Sequence, residues 1–204
     1  MDTFYLVRHA PAHWTPDEDR PLSARGRADA ELVADLLQEA PISAIFTSPY
    51  RRARQTISPL SRRLGLRVQE IYDLRERLLG AGFVEDFEAA VEATWRDTGF
   101  CHPGGESNAA AQRRGVAVVD RIREQVMAGQ VVLSTHGNLL ALILRHFDPS
   151  VDFAFWRSLA LPDIYLLSLP SEGPAVIRKL WQQLDGQLPQ GPCERLEPGS
   201  QGVS

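Results

Sequence analysis

The sequence predicts an α/β fold, a three-layer α/β/α sandwich around a mostly parallel central sheet. Short apolar runs rich in β-branched and aromatic residues, FYLV, SAIFTS and QVVLST, alternate with segments of helical spacing. Strands that alternate with helices give a mostly parallel sheet with helices on both faces. The 204 residues suffice for one domain with a sizeable core.

Thr3 to Arg8 reads as the first strand, followed by the proline-punctuated loop APAHWTPDEDRP. Ser23 is an N-cap candidate for a helix carrying LVADLL through Glu39, closed by Pro41. Ser43 to Ser48 is the second strand. Ser48-Pro49 supplies an N-cap and a proline at the first helical position, so a helix runs from Tyr50 to about Leu64. LRVQEI is a third short strand, and Leu74 to Gly82 is a loop. FVEDFEAAVEATWRD is helical, and HPGGES is a turn into a long helix from about Ser107 to Met127. Gln130 to Thr135 is a buried strand, and NLLALILRHF is the helix after His136-Gly137. DIYLLSL and AVIRKLW form a closing strand pair. A single domain is expected over residues 1–183. Residues 184–204, rich in Pro, Gly and polar residues, are expected to be a flexible tail.

Bulk properties remove several function classes. A net charge of −4 gives no sign of a nucleic-acid surface. The two cysteines, Cys101 and Cys193, form no CxxC or metal-like cluster, which fits a reducing, cytoplasmic setting. No apolar stretch approaches the length of a membrane span, and the N-terminus has the wrong order of regions for a signal peptide.

Chemistry is expected beyond the carboxyl ends of the strands. Arg8 and His9 leave the first strand there, SPYRRARQT follows the second, and Thr135-His136-Gly137-Asn138 follows the buried strand. Two of these segments open helices, whose N-termini favour anions. Helical side chains lean toward the N-terminus, so Arg52 can reach the same edge. Two histidines and two arginines converging there would repel one another without an anion. A phosphoryl group suits arginine's planar fork, and a neutral imidazole can attack its phosphorus.

LVRHA, SPYRRARQT, LRE at Leu74 to Glu76, PGGES at Pro103 to Ser107 and STHGN at Ser134 to Asn138 occur in an order and spacing that resemble the histidine phosphatase superfamily, the phosphoglycerate mutase-like fold. The resemblance implies that His9 is the nucleophile and that Arg8, Arg52 and His136 hold the phosphoryl oxygens. It implies that Glu76 protonates the leaving oxygen and later activates water. Gly137, Glu106, Ser107 and Thr15 are the further candidates for binding substrate or phosphate. No metal or other cofactor is implied. The sequence departs from the family in having Ala10 where glycine is frequent, and Ala12 and Thr15 where many members carry Thr or Ser and then Asn. DRPLSARG, Asp19 to Gly26, resembles the branch containing bacterial phosphohistidine phosphatases.

Structural roles compete at several positions. Arg51 and Arg54 suit a solvated face. Ser107 can simply cap the long helix, and Glu106 can complement its dipole. His13, His102 and His146 have no partner pattern. Trp14 suits either a pocket mouth or loop packing, and Trp95, Trp156 and Trp181 suit core or interface positions. The expected function is a metal-independent phosphatase working on phosphomonoesters through a phosphohistidine. Phosphoglycerate mutase-type transfer, a phosphohistidine protein phosphatase and a non-catalytic phosphate-binding scaffold are the alternatives. Expected partners are a small phosphorylated substrate or a phosphoprotein, with no nucleic acid and no membrane. The resemblance also admits a homodimer, for which the sequence shows no decisive patch.

Overall fold

The computed structural model describes residues 2–15, 19–82, 85–126 and 128–181. The expected tail, 184–204, lies outside the described residues. The six strands are β1 (Asp2–Arg8), β2 (Ile42–Thr47), β3 (Val68–Glu70), β4 (Gln130–Thr135), β5 (Asp163–Leu169) and β6 (Val176–Lys179). The helices are α1 (Ala24–Leu37), α2 (Arg51–Leu64), α3 (Phe87–Arg96), α4 (Asn108–Gln125), α5 (Gly137–Phe147) and α6 (Phe153–Ser158). The strands form one sheet in the order β3-β2-β4-β1-β5-β6. The four strands from β3 to β1 run parallel, and β5 and β6 close the sheet as an antiparallel pair.

Strand alternation builds two separate cores. Phe4 and Leu6 face one side with Leu133, Leu167 and the inner faces of α3, α4 and α5. Tyr5 and Val7 face the other with Ile45, Val132 and Ile164, beneath Val33 and Leu37 of α1 and Ile57 and Leu60 of α2. The sheet is therefore sandwiched, with α1 and α2 on one face and the later helices on the other. Trp95 and Trp181 are core residues. Among the described residues no helix is long and apolar enough to cross a membrane.

Two local expectations are corrected. Ser48 does not cap α2. Its N–H continues the strand by donating to the Ser134 carbonyl at 2.9 Å, so Tyr50 becomes the N-cap and the helix begins at Arg51. The short helix α6 was absent from the sequence expectation. It spans six residues, too few for periodicity to show, and is capped by Asp152 at the Phe155 N–H.

Candidate active site

β1, β2 and β4 end at the same edge, because Arg8 pairs with Thr135 and Thr47 with Ser134. β5 enters at that edge, with Asp163 opposite Arg8. A cavity of about 420 Å³ opens there. Among the described residues Arg8, His9, Arg20, Tyr50, Arg52, Glu76 and Arg77 supply its ionisable lining. Leu78, Leu79, Phe87, Val91, Trp156 and Leu161 give it an apolar wall.

His9 is oriented from both sides of its ring. Nδ1 lies 2.8 Å from the Ala10 carbonyl, which assigns the proton to Nδ1. The Nε2 lone pair then faces Arg52, whose Nε–H donates to it at 3.1 Å. Burial, reinforced by the guanidiniums of Arg52, Arg8 and Arg20, holds the imidazole pKa down to about 3, against the opposing bond to Ala10. His9 is thus a neutral imidazole near neutral pH. Arg52 is only 5% exposed and stacks over Tyr50, with its Cζ 4.8 Å from the ring centroid. Arg51 is exposed and Arg54 lies in a surface cluster with Asp19 and Glu70.

Arg8 points toward α5. Its Nη1 donates to the carbonyls of Leu159 and Ala160, at 2.8 and 2.9 Å. Gly137 permits this path, because a Cβ there would meet Arg8 Nε at 2.9 Å. His136 is fully buried and does not line the cavity. Its ring packs edge-on against His9, with centroids 5.1 Å apart, and Nε2 shares a 2.8 Å hydrogen bond with Ser48 Oγ. Burial, then the neighbouring His9 and Arg52, hold its pKa well below the usual histidine range.

Glu76 lines the cavity and also organises its floor. Its Oε2 accepts the Asn138 N–H, and its Oε1 accepts the N–H groups of Leu139 and Arg77. A carboxylate has about four lone-pair sites. Three are committed here, leaving one for the cavity. Thr135 Oγ1 fixes the preceding segment by donating to the Leu74 carbonyl at 2.7 Å. Arg114 of α4 fixes it from the other side through the carbonyls of Asp73 and Arg75.

Glu106, Ser107 and Thr15 are absent from the described cavity lining. Glu106 instead makes two 2.7 Å contacts with Arg114, the residue that grips the Glu76 segment. Its own N–H donates to the Leu78 carbonyl, so PGGES clamps the cavity wall from behind. Gly105 makes this approach fit, since a Cβ there would lie 2.3 Å from the Leu79 carbonyl oxygen. Ser107 caps α4 at the Ala110 N–H. Thr15 is partly buried outside the lining.

The residues that sequence reasoning missed are Arg20, Arg77, Arg114 and the aromatic wall of Phe87 and Trp156. DRPLSARG held a usable signal for Arg20. Asp19 accepts the first N–H of α2 at 3.0 Å and Ser23 caps α1, so Arg20 is held between two helix starts. Arg77 gave no signal beyond its place after Glu76. Among the described residues, no group of three or more His, Cys, Asp or Glu side chains could hold a metal ion.

The histidine phosphatase superfamily (branch 1) profile matches residues 4–181. The chain belongs to this superfamily. It is 31% identical over 154 residues to a Yersinia enterocolitica protein named "Probable phosphoglycerate mutase GpmB", covering 69% of this chain and 72% of that one. A mycobacterial glucosyl-3-phosphoglycerate phosphatase, solved with inorganic phosphate, superposes with a TM-score of 0.71 at 26% identity, over 88% of this chain and 95% of that one. A Bacillus anthracis phosphoglycerate mutase superposes with the same TM-score at 18% identity, over 88% and 92%, and shows the shared fold. This histidine phosphatase superfamily member therefore has both phosphatases and mutase-like proteins among its relatives.

Proposed function

We propose that the protein hydrolyses phosphomonoesters, without a metal ion, through a phosphohistidine on His9. The observation that carries this is the His9 ring: neutral, proton-bearing at Nδ1, with Nε2 presented to a cavity rich in guanidinium groups. The phosphoryl oxygens displace the Arg52–His9 contact and take the forks of Arg8 and Arg52, with His136 behind them. The Nε2 lone pair forms a bond to phosphorus as the P–O ester bond breaks. The electron pair goes to the leaving oxygen, which takes a proton from Glu76. A water then attacks phosphorus and gives its proton to Glu76. The P–N bond breaks, Nε2 regains its pair, and inorganic phosphate leaves.

Similarity to the Yersinia protein supports a second reading, transfer of the phosphoryl group to another alcohol. One experiment separates the two. Steady-state turnover of p-nitrophenyl phosphate is measured with EDTA present, for the native chain and His9→Ala. Phosphatase chemistry predicts release of inorganic phosphate that survives the chelator and is lost in the variant. A mutase returns the phosphoryl group to an added alcohol acceptor instead. Turnover retained by His9→Ala rules out both.

A further inference from the structure

Asp163 is fully buried at the start of β5, an expensive place for a charge. It does not line the cavity, and the chemistry proposed above does not use it. The strand register explains its company. Asp163 pairs with Arg8 of β1, and alternation puts it on the same face as Tyr165, which Lys179 of β6 opposes. Lys179 Nζ lies 3.0 Å from Asp163 Oδ2, and Oδ1 accepts the Ile164 N–H at 3.0 Å. Burial, then Asp163, push the Tyr165 phenol up, so that group stays neutral.

A further bond connects this cluster to the site. The Ala160 N–H donates to Asp163 Oδ2 at 2.9 Å. That N–H belongs to the same peptide unit as the Leu159 carbonyl, which accepts from Arg8 Nη1 at 2.8 Å. A trans peptide is planar and points its N–H and C=O in opposite directions. A carboxylate gripping the N–H on one side therefore aims the carbonyl on the other. The chain of contacts runs from Lys179 through Asp163 and one peptide plane to Arg8. Its charges alternate in sign, so each bond polarises the next. The Ala160 carbonyl holds the same Arg8 nitrogen at 2.9 Å. With Nη1 committed, Arg8 keeps Nε and Nη2 for a phosphoryl group. Its Nε is buried and has no hydrogen-bond partner among the described residues. Glu76 and Asp163 are the carboxylates that support the Arg8 charge against burial.

We propose that Asp163 is a positioning residue for phosphoryl recognition: it sets the Arg8 guanidinium through the Leu159–Ala160 peptide, with Lys179 as its anchor. The inference rests on the phosphatase reading only in taking Arg8 as a phosphoryl ligand.

Asp163→Asn, Arg8→Met and the double variant form a mutant cycle that tests it. Asp163→Asn keeps the side chain's shape and an acceptor but removes the charge. It should lower kcat/KM for p-nitrophenyl phosphate about tenfold and weaken inorganic phosphate, read by calorimetry, by a similar factor. An alkyl phosphate should lose as much, because the phosphoryl group is common to both esters. A loss confined to the alkyl ester overturns the inference. In the Arg8→Met background the same substitution should change kcat/KM by less than about twofold. A merely structural role gives equal losses with and without Arg8, and that result also overturns the inference. If Asp163→Asn does not fold, Lys179→Met takes its place in the cycle. Lys179→Met should weaken phosphate severalfold only when Arg8 is present, and Lys179→Arg should restore it. No change in Lys179→Met, or a change that persists without Arg8, then overturns the inference. If p-nitrophenyl phosphate is not turned over, the cycle is read in phosphate affinity alone. Coupling there supports the inference while the phosphatase reading fails. Turnover without coupling fails the inference alone. A native chain with neither turnover nor phosphate binding overturns both.

Discussion

Arg8 and His9 are neighbours in sequence, yet strand alternation sends one toward α5 and the other toward α2. Arg8 is fixed by two backbone carbonyls and His9 by Ala10 and Arg52. Glu76 is fixed most closely, by three backbone N–H groups. Glu76→Gln tests its proposed role as proton donor. With an alkyl phosphate, whose leaving oxygen needs a proton, kcat should fall about 10²- to 10⁴-fold. With p-nitrophenyl phosphate, whose leaving group departs readily as an anion, the loss should be much smaller. Equal losses on both esters overturn the proton-transfer role. The amide NH₂ would also face backbone donors, so the variant should lose about 1–3 kcal/mol of stability in urea unfolding. Arg8, His9, Arg52 and His136 were legible because each follows a recognisable strand end or helix start at a fixed offset. Glu106 was misassigned to the cavity because its partner, Arg114, lies on the far side of a turn whose path no spacing reveals.

α5 is the element on which several supports converge. Its first residue, Gly137, passes beside the Arg8 guanidinium, with a virtual Cβ 2.9 Å from Nε and 3.0 Å from Cζ. Its second residue, Asn138, ties it to α3 and α4, accepting from Trp95 Nε1 and donating to Asn108 Oδ1, both at 3.0 Å. A buried, fully connected polar network of this kind fixes the helix start in one position. Gly137→Ala is therefore expected to move Arg8 rather than the helix. Alanine is the better helix former, so the fold should persist. Phosphoryl binding should weaken, and kcat/KM should fall by about tenfold to a hundredfold, because small displacements of positioning groups are costly. Steady-state kinetics and phosphate calorimetry check this, and unchanged values would show that Arg8 is not set by Gly137.

Across the whole molecule, the edge where the strands end concentrates charge that folding has removed from water. His9 titrates near 3 and His136 well below the usual range, whereas histidines in the unfolded chain titrate near about 6.5. Below that value the unfolded chain binds protons that the folded chain refuses, so stability falls as the pH drops from about 6.5 toward 3. Each group can contribute at most about 1.4 kcal/mol per pH unit. His9→Ala should therefore show a shallower loss of stability than the native chain between pH 6.5 and 5 in urea titrations. Parallel curves would mean that His9 is no harder to protonate folded than unfolded.

The sequence alone determined the α/β alternation, the sandwiching of the sheet and the convergence of Arg8, His9, Arg52 and His136. These follow from local periodicity and from the rule that parallel strands end at a common edge. Periodicity also placed α1, α4, β4 and α5 to within a residue or two at most ends. Only the tertiary structure decided that Glu106 and Ser107 support the site from behind, that His136 lies buried beneath His9, and that Arg20, Arg77, Phe87 and Trp156 reach the cavity. Those residues come from loops, a helix N-terminus and a six-residue helix. Their positions are set by which backbone groups the packed core leaves to be satisfied, and that is a property of the assembled chain rather than of any local run.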